Sequence, residues 1–464
     1  MTATMPAVAA ATTAANAATG TPPRAVPPLA TARPVKLPTV SDTVLDNGLR
    51  VLAVRRPGVP LAELRLRIPF AGPRRRGGGA HVARAQLLGD TLLMGTDRRT
   101  ALELAIDVQA LGGQLSASTD ADRLGLAGSV LTSGLPALLE LLGEVLTGAS
   151  YPQQEVEGER DRLVQELAIY RSSAGVVARE ALLHRMYADH PYGLDLPSAE
   201  QVQAVRAKQL RSMHSERVAP AGSILTIVGD LTPAKATALV QQALSGWTAE
   251  VSARSTPAVP EQAGHTALLV DRPGAVQTTI RMGGQAPART DPDHAAFTLA
   301  NLVFGGYFSS RWVSNIREDK GYTYSPHSGV EHPQAGSRVV AGADVATAVT
   351  APALLETLYE LGRIATVPVG QGELDQARRY AVGSLALSTS SQAGLAGTLS
   401  QLAGAGLGIE WLRDHPRALA AVSVDDVLAA GDRWLAPMRL TPVLVGDSTV
   451  VEGPLRSLVD LELG

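Results

Sequence analysis

The chain repeats itself. Pro136-Ala137-Leu138-Leu139-Glu140 returns as Pro352-Ala353-Leu354-Leu355-Glu356, a shift of 216 residues. The same shift relates Arg56-Pro57-Gly58 to Arg272-Pro273-Gly274, and a shift of 217 relates Val228-Gly229-Asp230 to Val445-Gly446-Asp447. Three matches in one order at nearly one offset describe a duplicated unit of a little over two hundred residues. Such a chain folds as two like domains, and it offers two equivalent places for a site, which can be compared. Its 464 residues, 45% hydrophobic and 18% charged, suffice for two sizeable cores.

The domain limits follow from composition. Residues 1–41 are rich in Ala, Thr and Pro and nearly uncharged, and are expected to form a disordered tail. They lack the basic and Leu-rich regions of a signal peptide. The first domain is expected over 42–248, a Pro-containing linker over 249–264, and the second domain over 265–464.

Polarity patterns place strands at 49–54 and 61–68, either side of the turn Arg56-Pro57-Gly58. A helix follows at 80–94, then one at 100–111 with a Thr100/Glu103 capping box and a Gly112-Gly113 stop. Residues 114–131 alternate in polarity and read as a hairpin turning near Asp120. Helices at 133–148, 153–172, 175–188, 198–205 and 207–217 precede a strand at 223–228 and a helix at 232–244. The second half repeats the order, with strands at 266–270, 276–283, 338–344 and 442–445. Its helices are expected at 293–304, 351–364, 372–388, 391–405 and 423–435. This is the α+β class: two homologous α/β-sandwich domains with helices on a mostly antiparallel sheet.

Several chemistries are excluded. A net charge of −3 and a pI near 6.3 argue against nucleic acid. The absence of cysteine removes disulfides, thiolate metal ligands and a Cys nucleophile. No apolar run reaches the ~18 residues of a membrane span, so no membrane partner is expected and the cytoplasm is the default location. Arg74-Arg75-Arg76-Gly77-Gly78-Gly79 lacks the Lys-Ser/Thr of a phosphate loop and reads as a solvated loop. Ser388-Thr389-Ser390-Ser391 lacks the glycines of a nucleophile elbow.

Five motifs stand in order. They are Leu45-Asp46-Asn47-Gly48-Leu49-Arg50-Val51, Gly95-Thr96 and His190-Pro191-Tyr192-Gly193, then Val228-Gly229-Asp230, and Ile316-Arg317-Glu318 with Gly321-Tyr322-Thr323-Tyr324-Ser325. With them, residues 42 to 450 resemble the pitrilysin-type (M16) zinc peptidases, specifically the short two-domain subunits similar to mitochondrial processing peptidase. The resemblance implies the LuxS/MPP-like metallohydrolase fold.

Active members carry H-x-x-E-H on the first long helix. The two His hold zinc, the Glu polarises the attacking water, and a later helix adds a carboxylate ligand. The matching pentad here is Gln86-Leu87-Leu88-Gly89-Asp90, without either His or the Glu, while the later carboxylate is kept as Glu166. Gln86, Asp90 and Glu166 could offer oxygens, but Gln is a poor zinc ligand and Gly89 supplies no base. In the second copy, the 216-residue shift places Leu302, Gly305 and Gly306 at those positions, equally unable to bind metal. No metal is therefore expected in this chain.

The second half keeps a different pair. The resemblance implies that Arg317 and Tyr324, seven residues apart, hold the substrate backbone and stabilise the tetrahedral intermediate. Without the surrounding motif they would read as a helix-end ion pair and a half-buried Tyr. The implied function is a non-catalytic, substrate-binding subunit of a heterodimeric peptidase. Its partner, an H-x-x-E-H-containing M16 subunit, would supply the zinc. The two chains would close like a clamshell on a peptide or leader segment held by strand addition. The alternative is an inactive structural or peptide-binding relative, like the core subunits of respiratory complexes, with no role in proteolysis.

Overall fold

The computed structural model describes residues 37–70, 72, 78–251, 255–260 and 266–464. The arginines of the run 74–79, residues 1–36 of the expected tail and much of the expected linker lie outside the described residues.

Each half builds one six-stranded sheet. The first contains β1 (Val40–Val44), β2 (Arg50–Arg55), β3 (Leu61–Pro69), β4 (Gln114–Thr119), β5 (Arg123–Leu131) and β6 (Ile224–Gly229), in the order β1-β2-β6-β3-β5-β4. The second contains β7 (Ala267–Asp271), β8 (Gln277–Ala286), β9 (His327–Glu331), β10 (Ser337–Ala346), β11 (Thr441–Gly446) and β12 (Leu461–Leu463), in the order β12-β7-β11-β8-β10-β9. The pairs β2–β6, β7–β11 and β7–β12 are parallel and the others antiparallel, so the sheets are mostly antiparallel as the sequence suggests.

The repeated motifs mark one structural device. Arg56 N–H donates to Gly229 O at 2.9 Å, and Arg272 N–H donates to Gly446 O at 2.8 Å. Gly58 N–H donates to Asp230 Oδ2 at 3.5 Å, and Gly274 N–H donates to Asp447 Oδ2 at 2.8 Å. In each half the Asp of Val-Gly-Asp thus caps the Arg-Pro-Gly turn at the end of two parallel strands. Gly58 and Gly274 have φ of 118° and 73°, which only glycine adopts without strain. The third motif opens the helices Leu135–Gly148 and Thr350–Thr366. Its Pro sits in the first turn, where its missing N–H costs nothing, and Leu138 and Leu354 are fully buried.

One face of each sheet carries helices of its own half over the main apolar cores. The other face is covered by a helix from the opposite half. Ala174–Tyr187 sets Leu182, Leu183 and Met186 against Val443 and Val445 of β11. Gln392–Gly404 sets Leu395, Leu399 and Leu402 against Leu52, Val54 and Val228 of β2 and β6. Each of these leucines, once buried, stabilises the pairing by about 2 kcal/mol. The exchange ties the halves together and leaves a cavity where they meet.

The structure adds what polarity patterns miss. β1 starts at Val40, before the expected domain start, and pairs with β2. Also new are β9, β12, and the helices Ser448–Arg456 and Trp411–Ala421, the latter with Pro416 inside. The helix expected over 293–304 is α-helical only over His294–Asn301 and widens to a π-turn at Leu302–Gly306.

Candidate functional site

The helix Gly78–Thr91 carries the pentad. Leu87 and Leu88 are fully buried in the core of the first half, which turns Gln86 and Asp90 toward the cavity they help line. Gly89 has no room for a side chain at no cost: a Cβ there would lie 3.1 Å from Cγ2 of Thr119 on β4. Glu166, on the helix Gln153–Ser172, bonds the guanidinium of Arg162, which also bonds Glu159. Burial pushes the Asp90 carboxyl up to about 6, Glu159 and Glu166 add to that, and Arg162 opposes it. Arg162 thus pairs with two of these carboxylates, and its charge acts on the third.

The cavity holds about 810 Å3 and is lined from both halves. Its walls include β4 residues Ala117 to Thr119, the β4–β5 turn, the segment after His190, and the loop between β9 and β10. The His190-Pro191-Tyr192-Gly193 motif fixes that junction. His190 accepts from Tyr192 N–H at 3.1 Å, and Tyr192 OH donates to Asp122 Oδ1 at 2.8 Å and accepts from Ala335 N–H at 2.8 Å. Asp122 also accepts from Gln334 N–H at 2.9 Å and from Thr256. One buried carboxylate thus links the hairpin of the first half to a loop of the second.

Five arginines and five carboxylates line this space. Arg123 pairs with Asp120 at 2.9 Å, Arg179 with Asp195 and Glu331 at 3.0 Å each, and Arg338 with Glu331. Among the described residues, Arg67 and Arg289 form no such pair.

Arg317 and Tyr324 stand together elsewhere. The Arg317 guanidinium lies 4.9 Å from the centre of the Tyr324 ring and 4.3 Å from that of Phe308, and pairs with Glu318 at 3.1 Å. Arg317 belongs to the π-turn Ser314–Asp319, and Gly321, with φ of 65°, turns the chain back so that Thr323 Oγ1 donates to Asp344 O at 2.7 Å. Tyr324 is 80% exposed, not half-buried. Neither residue lines the cavity that holds Gln86 and Asp90.

Comparison with known proteins now decides the family. Residues 84–200 match the profile described as Insulinase (Peptidase family M16), and residues 204–380 match that of the Peptidase M16 inactive domain. The chain belongs to the M16 peptidase family. An uncharacterized zinc protease of Mycobacterium leprae is 29% identical over 299 residues, which are 63% of this chain and 66% of that protein. One of Streptomyces coelicolor is 26% identical over 296 residues, 62% of this chain and 64% of that protein. The match spans just under two thirds of these relatives' length. A peptidase M16 inactive domain from Pseudomonas fluorescens superposes with a TM-score of 0.80 at 23% identity, over 88% of this chain and 98% of that one. A protease from Helicobacter pylori does so with 0.80 at 20% identity, over 89% and 100%. Both likenesses establish the two-domain M16 fold.

The zinc of M16 peptidases does not fit the residues here. Gln86 offers an amide, Gly89 nothing, and Glu166 is engaged by Arg162. Among the described residues, no group of three or more His, Asp or Glu is placed to hold a metal ion. Nor is any helix long and apolar enough to cross a membrane. The residues that sequence reasoning missed are those of the cavity wall, Arg67, Asp122 and Arg289 above all. A signal for Arg67 existed, because at the 216-residue shift its counterpart is Gly283.

Proposed function

We propose that this chain is the non-catalytic, substrate-binding subunit of a two-chain M16 zinc peptidase. One observation carries the reading: the pentad Gln86-Leu87-Leu88-Gly89-Asp90 has none of the His and Glu of the expected motif, yet Gln86 and Asp90 face a large cavity lined by arginines and carboxylates from both halves. The partner, an M16 chain with an intact H-x-x-E-H, supplies zinc and general base. This chain supplies chamber wall and peptide grip. β4 is an edge strand whose end reaches the cavity, so an extended peptide or leader segment can pair with it. Arg317 and Tyr324 lie outside the cavity of this chain, and they act on a peptide that the partner presents across the closed clamshell. The exposure of Tyr324 suits that role.

A second reading, an inactive structural or peptide-binding protein, draws on the same pair, because Arg317 is engaged by Glu318 and two aromatic rings. Turnover in the reconstituted complex separates the two. Arg317→Ala and Tyr324→Phe are expected to lower kcat by roughly a hundredfold while assembly is kept, the usual effect of removing one donor to an oxyanion. Unchanged turnover in both variants would leave the structural reading standing.

A further inference from the structure

Among the described residues, two cations in the cavity lack counter-charges. Arg67 on β3 has no hydrogen-bonded or ion-paired carboxylate, and its nearest ones are committed: Asp120 to Arg123, Asp122 to Tyr192, Thr256 and Gln334. Arg289 lies 5.6 Å from the Trp411 ring and beside three imidazoles, of His294, His332 and His415, which burial holds neutral. Burial drives the Arg67 guanidinium down to about 10 and lowers that of Arg289, the direction expected of a charge without a partner.

Arg67 is also placed at the expense of packing. Its guanidinium lies where a side chain on Gly404 would be: a Cβ there would come within 2.5 Å of Cζ. In the second half the arrangement is inverted. Gly283 stands at the position of Arg67, and a Cβ on it would meet Sδ of Met186 at 2.6 Å. The simple solution for this contact is apolar, as the second half has it. The first half instead brings a desolvated charge to the cavity, which costs stability unless something pairs with it.

We propose that Arg67 and Arg289 form a carboxylate-binding site, so that the cavity selects peptides carrying a negative charge. The carboxylate comes either from the peptide C-terminus or from an Asp or Glu side chain. A guanidinium meets a carboxylate with two parallel N–H···O bonds, the geometry that arginine provides and lysine does not. The inference rests on the peptide-chamber reading above and adds its substrate class.

The test uses the full chain and one fluorescent ten-residue peptide in four forms. Its C-terminus is free or amidated, and its single internal acidic residue is Glu or Gln. The form without either carboxylate is expected to bind about tenfold or more weakly, and the two intermediate forms identify which carboxylate is read. Arg67→Gln and Arg289→Gln are each expected to abolish the preference. Arg67→Gln should keep or raise Tm, because no native partner is lost. Equal binding of all four forms, or a preference that survives in both variants, overturns this inference alone. Binding of none overturns it together with the peptide-chamber reading. A clear fall in Tm for Arg67→Gln would make Arg67 structural and overturn its part.

Discussion

Asp90 closes the pentad on the helix Gly78–Thr91, and burial works against its ionisation. Its carboxyl is raised from 3.8 to about 6 in the folded chain, so ionising it there is unfavourable. The cost is absent in acid, where both folded and unfolded chains carry the proton, and is fully present above about pH 6. Asp90→Asn is therefore expected to stabilise the chain at pH 7.5 by up to about 3 kcal/mol, with the gain vanishing toward about pH 3.5. Urea unfolding at the two pH values measures it, and equal effects at both would refute the account. At this scale the sequence was informative wherever a motif has a fixed spacing. The pentad and the pair Arg317 and Tyr324 were visible in it. The unpaired state of Arg67 and Arg289 was not, because the carboxylates around Arg67, Asp120 and Asp122, come from a distant turn in a strand order that spacing does not reveal. The pairing of Arg162 with Glu159 and Glu166 was legible, because on the expected helix 153–172 they lie three and four residues from it.

Among elements, local signals were read well and partners were not. The Thr100/Glu103 capping box is formed as expected, with Thr100 N–H donating to Glu103 Oε2 at 2.8 Å. The hairpin of β4 and β5 turns at Asp120, which accepts from the backbone N–H of Asp122 and Arg123 at 2.9 Å each. Both are short-range devices whose residues are adjacent in the chain. Pro416 hid the helix Trp411–Ala421, because a proline inside a helix reads as a break. The exchange of Ala174–Tyr187 and Gln392–Gly404 between halves was invisible for another reason. An apolar stripe shows that a helix is covered, not by which sheet. The exchange makes a prediction of its own. Leu399 is 1% exposed and packs on the sheet of the other half. Leu399→Ala is expected to cost about 2–5 kcal/mol in denaturant unfolding and to loosen the junction of the halves. A cost below 1 kcal/mol would mean that this helix is not what joins them.

As a whole, the molecule is a pair of like domains whose two copies have diverged in opposite ways. Copy one carries Gln86, Gly89 and Asp90 on the helix Gly78–Thr91. Copy two keeps Arg317 and Tyr324. Between them lies a charged cavity whose carboxylates are nearly all committed to arginines or to the hydrogen bonds that join the halves. The duplication was evident in the sequence at once, and the structure shows why those three motifs persist: they build the same capped turn and the same helix start twice. In the proposed two-chain peptidase the zinc belongs to the partner. Elemental analysis of the purified chain, after exposure to zinc and removal of the excess, is then expected to find far less than one zinc per chain; a value near one would place the metal here and overturn the proposal.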